Sequence, residues 1–426
     1  MSRRVRKGLA IAVIALAATA LGAIVSGCYR RFPITDRIDR DAGAVHADAF
    51  VPPADAGMPP DRPDAGFVEP TGQCAEAAPI DLLLVLDDSA SMEEEQALLI
   101  GALPRLVREL VEPPDDDLDG HPDWLPVPSL HVGIITTNLG AAGYPVPTCE
   151  GGIAGPSHGD DGLLRTRSTR TDCEVAYPPV LSFGAGDDVD AFVQDLGCVA
   201  SVGTDGCGYE QPLEAMLRAL SPRAPTSYTG PRYEPPTFWD GSYGHGDVAN
   251  AGLVRDDSLL AVIVVTDEED CSVQDTGLFD PASTTYTADL NLRCFSHPAA
   301  QHPIERYVAG LTALRADRPD LLALAVIAGV PPDATVPLPT RADYTGLLLH
   351  PAMEERIDTT TMSLVPACTA AGVSIASPAR RLVRTAMSLG EGRSTVQSIC
   401  QADFSPALAP VTRLFARRAC QARVLL

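Results

Sequence analysis

The sequence predicts an α/β protein with a mostly parallel central sheet, helices on both faces and long insertions that carry cysteines. Two observations lead to this fold class. Several segments are almost continuous apolar runs, which is typical of strands buried on both faces, as in parallel sheets. Between these runs lie amphipathic segments with helical spacing, and this alternation favours a parallel sheet covered on both sides.

The individual elements follow from this pattern. The apolar runs predict strands at residues 80–87, 129–137, 258–267, 321–330 and 394–399. The first predicted helix spans 93–111, where apolar residues recur on one face and Pro104 is expected to introduce a kink. Helical spacing or a Ser-Pro start predicts further helices at 211–220, at 304–314, from Ser377-Pro378 to Gly390 and from Ser405-Pro406 onward.

The N-terminal segment has the layout of an export signal. Residues 1–27 contain a basic stretch, then an apolar run, then small residues. The sequence Val25-Ser26-Gly27-Cys28 resembles the lipobox of bacterial lipoproteins, which implies cleavage before Cys28 and acylation of that cysteine. An uncleaved membrane anchor is the alternative. We therefore expect a protein anchored by lipid outside the cytoplasm, in the outer membrane or at the cell surface.

Composition divides the rest of the chain into two parts. Residues 28–73 are rich in Pro, Ala and Asp and have no hydrophobic period, which predicts a disordered linker. Residues 74–426 carry all the predicted strands and helices and are expected to form one α/β domain. The formal net charge of −24, with Lys7 as the only lysine, argues against nucleic-acid binding and against adsorption to an anionic membrane through a basic patch.

The cysteine pattern indicates disulfides. Without Cys28, ten of the eleven cysteines remain, an even number that allows up to five disulfides in an exported chain. No CxxC or HExxH occurs, so a zinc site is disfavoured. Spacing does not determine the connectivity. We expect sequential pairs, with the two outermost cysteines closing the ends: Cys149–Cys173, Cys198–Cys207, Cys271–Cys294, Cys368–Cys400 and Cys74–Cys420.

Acidic and hydroxyl side chains follow two of the predicted strands. Asp87 ends the first strand and Asp267 ends the third, and ligands of parallel sheets bind at these carboxyl ends. Ser89 and Ser91 add hydroxyl oxygens, so the residues form an all-oxygen cluster suited to Mg²⁺ or Ca²⁺. A simpler interpretation is that Ser91 and Glu94 form a capping box for the following helix.

These residues also carry a family resemblance. LVLDDSASM matches the DxSxS signature of von Willebrand factor type A (VWA) domains, and Thr204 and Asp267 resemble the threonine and aspartate of that family's second and third metal loops. The resemblance implies a Rossmann-like fold and a metal-ion-dependent adhesion site, in which the bound ion accepts a carboxylate from a protein partner. The chain is similar to VWA lipoproteins of bacterial envelopes, so we expect a non-enzymatic binding protein. Glu268 and the long insertions depart from the family pattern.

Other functions remain as alternatives. A structural envelope scaffold would have the same fold with an idle metal site. An exported metal-dependent phosphohydrolase would use Asp87, Asp88, Asp267 and Asp270, although no histidine lies near them in sequence. A phosphorylatable receiver domain is disfavoured. It needs a phosphoacceptor aspartate and a lysine at later strand ends, but the strand at 129–137 ends in threonines and no lysine follows Lys7.

A second acidic segment lies between the first helix and the second strand. Asp115, Asp117, Asp119 and Gly120 are spaced like the start of an EF-hand calcium loop, but Pro126 stands where the loop requires glutamate. A solvated acidic loop is the simpler interpretation of this segment.

Overall fold

The protein is described from a computed structural model, and the described residues are 74, 76–116, 118–224, 235–239 and 242–424. The predicted signal peptide, Cys28 and the linker up to residue 73 lie outside them. Ten strands are β1 (Ile80–Leu86), β2 (Ser129–Thr136), β3 (Leu181–Gly184), β4 (Leu259–Val265), β5 (Leu322–Ala328), β6 (Ile357–Asp358), β7 (Ser363–Leu364), β8 (Cys368–Ala370), β9 (Ser374–Ala376) and β10 (Ser394–Ser398).

Six of these strands form one sheet in the order β10-β5-β4-β1-β2-β3. The first five run parallel, and β3 pairs antiparallel with β2 at the edge. The fold is therefore α/β and Rossmann-like, as the sequence predicts. In the central pair, Leu86 of β1 lies opposite Val265 of β4, so the residues that follow these two strands meet at the same edge of the sheet.

Helices cover both faces of the sheet. They are α1 (Glu93–Val111), α2 (Val189–Val199), α3 (Pro212–Leu220), α4 (Arg293–Ser296), α5 (Glu305–Ala313), α6 (Arg341–Leu348), α7 (Arg380–Ser388) and α8 (Ser405–Val424). Side chains alternate across β1: Leu82 and Leu84 pack with α1, α2 and α8, whereas Leu83 and Val85 pack with α3, α5 and α7. This alternation explains why every residue of β1 is apolar or buried.

The predicted elements are confirmed to within a few residues, and the misses are short or irregular. The helix α1 continues through Pro104 from Glu93 to Val111. Strand β3, helices α2 and α6 and the two small hairpins were not predicted, because they lie in the insertions and lack a long apolar run. Among the described residues, no helix has the length and apolarity needed to cross a membrane.

Four disulfides are present among the described residues, and two of the five expected pairs agree with them; two pairs exchange partners, and the expected Cys74–Cys420 bond is not formed. The pairs Cys271–Cys294 and Cys368–Cys400 agree with the sequential expectation. The other two are Cys149–Cys207 and Cys173–Cys198, so neighbouring cysteines in the sequence exchange partners. The reason is tertiary: the long insertion after β2 folds back over the segments that flank α2. Cys74 and Cys420 are free thiols. Disulfides of this number place the protein in an oxidising, extracytoplasmic compartment.

Candidate functional site

Asp87 is the first residue after β1 and is fully buried at the edge of the sheet. Its Oδ1 accepts a hydrogen bond from the Ser89 amide at 2.8 Å, and its Oδ2 accepts one from the Thr266 hydroxyl at 2.6 Å. Both donors are neutral, and burial raises the pKa of Asp87 above its ordinary value. The sequence analysis missed Thr266, which follows β4 directly and orients this carboxylate.

Asp267 follows Thr266 and is 2% exposed. Its Oδ1 is buried and has no hydrogen-bond partner among the described residues. Burial, together with the negative charges of Asp87 and Glu268, raises its pKa well above the ordinary value, and a hydrogen bond with Ser91 opposes that shift. A buried carboxylate oxygen without a donor is costly, and Asp88 Oδ1 and both Glu95 oxygens nearby also have no hydrogen-bond partner among the described residues, so this edge of the sheet indicates a missing ligand.

The three acids after Asp267 have fixed partners. The Glu268 carboxylate accepts a hydrogen bond from the Ser377 hydroxyl at 2.7 Å. Glu269 accepts from the amide of Arg381 in the first turn of α7, at 2.8 Å. Asp270 accepts from the amide of Leu213 in α3 at 3.1 Å and from the Arg381 guanidinium at 3.0 Å. Of the four consecutive acids, Asp267 alone therefore points an unpartnered oxygen into the described site.

The loop that carries these acids is fixed by its neighbours on the sheet edge. The amide of Ser377 donates to the carbonyl oxygen of Asp267 at 2.8 Å. This approach requires Gly329 after β5, because a Cβ there would lie 1.8 Å from the Ser377 carbonyl oxygen. The position of Asp267 is thus determined by the segments before α7 and after β5, as well as by its own strand.

Ser89 and Ser91 lie beside the two aspartates, and their hydroxyl oxygens are 3.2 Å apart. They precede α1 through a single 3₁₀ turn at Ala90–Met92. Neither that turn nor α1 has a side-chain cap, so the predicted capping box of Ser91 and Glu94 is not formed. The two hydroxyls face the aspartates and are not consumed by capping the helix.

Thr204 lies in the loop between α2 and α3, and this loop reaches the site through its backbone. The Gln96 amide group donates to the carbonyl oxygens of Asp87 at 2.9 Å and Gly203 at 2.7 Å. The Gly206 amide donates to the Asp88 carbonyl oxygen at 2.7 Å, and a Cβ on Gly206 would lie 2.3 Å from the Asp88 carboxylate. Thr204 itself is partly exposed beside this contact. Its assignment as a ligand stays a prediction.

Further buried acids surround the site and were not predicted. Glu210 is 6% exposed, and burial followed by the charges of Asp87 and Glu268 raises its pKa well above the ordinary value. Burial raises the pKa of Glu268 to about 7 and that of Glu95 above its ordinary value. Glu210 reaches the site because it forms a bridge with Asn138 after β2, a tertiary contact with no local sequence signal.

The residues at this edge fit a hard divalent cation. Carboxylate and hydroxyl oxygens are the ligands such ions prefer, and buried carboxylates that repel one another need a cation or protons. No group of three or more His, Cys, Asp or Glu side chains is placed to hold a metal within the described part of the chain. The predicted ligand set contains only two carboxylates, Asp87 and Asp267, and its other members are hydroxyls.

The segment at 115–120 uses its carboxylates locally. Asp115 accepts hydrogen bonds from the amides of Asp119 at 3.1 Å and Gly120 at 3.0 Å. Asp119 in turn accepts from the His121 amide at 2.8 Å. Asp117 lies outside the described residues. The Asp115 and Asp119 carboxylates thus bind amides of their own turn, as in an exposed acidic turn.

The comparisons with known proteins add no relative. No protein-family model matches the chain, and no curated protein matches it. The resemblance to VWA domains therefore stays a prediction from the sequence motif.

Proposed function

We propose that this protein is a lipid-anchored, extracytoplasmic VWA-type binding protein that recognises a carboxylate of a protein partner through a divalent cation. Asp87, Ser89, Ser91, Thr204 and Asp267 would hold the ion, Mg²⁺ or Ca²⁺. The ion supplies a positive charge with an open coordination position for the partner's carboxylate.

The observation that carries this proposal is the state of Asp267. Its Oδ1 is buried without a partner, while the next three acids of the same loop are satisfied by Ser377, α7 and α3. Three of the four neighbouring acids accept hydrogen bonds from the protein, so this region contains hydrogen-bond donors. The unpaired oxygen is thus best explained by a cation that the chain itself does not provide.

The fold supports the same role. Asp87 and Thr266 follow paired residues of adjacent strands, so the two metal loops begin at fixed, neighbouring points of the sheet. The Thr266 hydroxyl orients the Asp87 carboxylate, and the Ser377 amide holds the Asp267 backbone; such outer contacts hold metal ligands in place. The site is therefore preorganised for an ion, and Ser91 and Thr204, which are partly exposed, are the members that a partner can approach.

The phosphohydrolase alternative receives less support. It requires Asp270 as a metal ligand, but both Asp270 oxygens are engaged: Oδ1 by the Leu213 amide and the Ser272 hydroxyl, and Oδ2 by Arg381. If Asp270 left these contacts to bind a metal, the Leu213 amide in the first turn of α3 and the Arg381 Nε would lose their hydrogen-bond acceptor. A binding site that uses Asp87 and Asp267 needs no such rearrangement.

The test is calorimetric titration of the full-length exported protein with Mg²⁺ and with Ca²⁺. We expect saturable binding of one ion by the wild type and none by Asp87→Ala. A matched control is Asp275→Asn, which removes one acid of an exposed turn outside the site, while the oxygen of the new side-chain amide can still accept from the Gly277 amide. Equal binding by wild type and Asp87→Ala would refute the metal site.

The partner is tested separately by affinity capture from envelope extract. Wild-type protein and Asp87→Ala are compared, each with and without EDTA. A partner that is retained by the wild type alone, and lost in EDTA, supports metal-dependent recognition. A partner that binds equally in all four samples would instead indicate a structural scaffold that does not use the site.

A further inference from the structure

Two free thiols meet where the domain begins and ends. Cys74 precedes β1 and Cys420 belongs to α8, and they are separated by 346 positions in the sequence. The Cys74 Sγ lies 3.2 Å from the Cys420 carbonyl oxygen, and the two thiols interact with each other. The adjacent backbone is also paired, since the Ala78 amide donates to the Ala419 carbonyl oxygen at 3.1 Å.

The chemical setting favours oxidation of this pair. The other eight described cysteines form four disulfides, which indicates an oxidising compartment. Both thiols are partly exposed, so a disulfide reagent can reach them. Because Cys74 Sγ contacts the Cys420 carbonyl oxygen and the two thiols interact, the two sulfurs are already neighbours, as a disulfide requires.

We propose that Cys74 and Cys420, which the sequence pairs and which are thiols in the structure, are oxidised to a fifth disulfide that fastens the segment before β1 to α8. The proposal is independent of the metal site and of the identity of any partner. The oxidant that reacts with the two thiols is itself a disulfide, carried by a small molecule or by a protein.

The reaction is a pair of thiol–disulfide exchanges. The Cys74 thiolate attacks the oxidant's disulfide, forming a mixed disulfide and releasing one thiol. The Cys420 thiolate then attacks Cys74 Sγ, and the second thiol of the oxidant leaves. Two protein thiols are oxidised and one disulfide is reduced. Burial, followed by the Cys74 thiol, raises the pKa of Cys420 to about 12, so the second exchange is the slow step at neutral pH.

The disulfide would change how the domain responds to load. Helix α8 packs against α1, against β4 and β5 and against the edge strand β10. In the thiol form, a pull that enters the domain through the chain before Cys74 is passed to α8 only by non-covalent contacts such as the Ala78–Ala419 hydrogen bond. In the disulfide form the same pull is shared with α8 and the core it covers.

Peptide mapping provides the direct test. Full-length protein is incubated with oxidised glutathione, the remaining thiols are alkylated, and the protein is digested with trypsin without reduction. We expect peptide 419–423, which contains Cys420, to be linked to the peptide that contains Cys74 and ends at Arg105. Recovery of both peptides alkylated and unlinked after prolonged incubation, or of a covalent dimer through either cysteine, would overturn the proposal.

A stability measurement gives a second, separate readout. Closing so long a loop should raise the melting temperature of oxidised wild type by on the order of 5–10 °C over the Cys74→Ser variant. Cys74→Ser is a mild change at a partly exposed position, and its melting temperature should be the same with and without oxidant. Equal melting temperatures for oxidised wild type and Cys74→Ser would also contradict the proposal.

Discussion

Asp161 and Asp267 are both buried aspartates, but the first is surrounded by donors that include basic side chains and the second lies among other acids. Asp161 accepts hydrogen bonds from Arg218, from Ser242 at 2.9 Å and from His245 at 2.9 Å. Asp267 has an unpartnered oxygen, and its nearest charges are carboxylates. The protein thus supplies its own counter-charge at one buried aspartate and omits it at the other.

The pKa directions follow this difference. Although burial raises the pKa of Asp161, hydrogen bonds from His245 and Arg218 outweigh burial and lower it below the ordinary value. At Asp267 burial and the neighbouring acids act in the same sense, and the pKa rises. Asp161 joins two insertions to α3 and stabilises the fold, whereas Asp267 is a cost to the fold that a bound cation would offset.

The largest expected effect comes from breaking the charge pair at Asp161. Arg218 is fully buried on α3 and contacts both this carboxylate and the ring of Trp239 at 4.5 Å. Arg218→Met should lower the free energy of unfolding by about 3–5 kcal/mol, because it leaves a buried charge without its partner. Urea unfolding measures this quantity. The exposed pair of Arg170 and Asp172 provides the control, and Arg170→Met should cause no measurable change.

The opposite sign is expected when the unpaired charge is removed from the proposed metal site. Asp267→Asn should weaken Mg²⁺ or Ca²⁺ binding by a factor on the order of 100 or more. In EDTA at pH 8, however, the same variant should be more stable than wild type, because the buried negative charge is gone. Calorimetry and urea unfolding test the two statements. A variant that is destabilised in EDTA would show that the Asp267 charge already has a compensating partner in the protein.

The third prediction uses pH to separate the two kinds of aspartate. The folded-state pKa of Asp161 lies below its unfolded value of about 3.9, so its contribution is present above that pH and is lost as the pH falls. Asp161→Asn should therefore cost about 2–3 kcal/mol near pH 7, and the difference from wild type should shrink below about pH 4. Urea unfolding between pH 7 and pH 3 measures the difference. A cost that is independent of pH would mean that the carboxylate's charge does not matter.

The sequence predicted the part of the site that lies on regular structure. Asp87 and Asp267 were identifiable because each ends an apolar run, and strand ends of a parallel sheet converge by geometry. Glu210 and Ser377 were not identifiable, because they reach the site through a bridge to Asn138 and through the close approach to Gly329. The sequence also could not show that Asp267 Oδ1 has no hydrogen-bond partner. That depends on which acids the backbone amides at the starts of α3 and α7 contact in the folded protein.

The disulfides show the same limit. The sequence indicated that disulfides form and predicted five where the structure has four, but the pairs Cys149–Cys207 and Cys173–Cys198 depend on how the insertion after β2 folds over α2. The expected pair Cys198–Cys207, which would have closed a short loop around Thr204, is therefore wrong. Each cysteine instead ties one flank of this loop to a distant segment, Cys207 to Cys149 and Cys198 to Cys173.

This correction leads to the smallest expected effect. Cys207 lies three residues after Thr204, and its disulfide to Cys149 should restrict the loop even though the bond closes 58 positions. Without it, Thr204 must be ordered when the ion binds, and ordering opposes binding. Cys149→Ser/Cys207→Ser should therefore weaken Mg²⁺ or Ca²⁺ binding by less than about tenfold, that is by under about 1.4 kcal/mol. The fold itself should persist, because three disulfides and the core remain.

The control must separate local order from general stability, since losing a disulfide also destabilises the protein. Arg218→Met provides it, because that variant is expected to be as strongly destabilised while Asp87, Ser89 and Asp267 keep their contacts. At a temperature where both variants are folded, Arg218→Met should bind the ion like wild type and the cysteine variant should bind it more weakly. Equal affinities in the two variants would mean that Thr204 is already ordered without the disulfide, or that it is not a ligand; Thr204→Ala distinguishes these, because only a ligand's loss weakens binding.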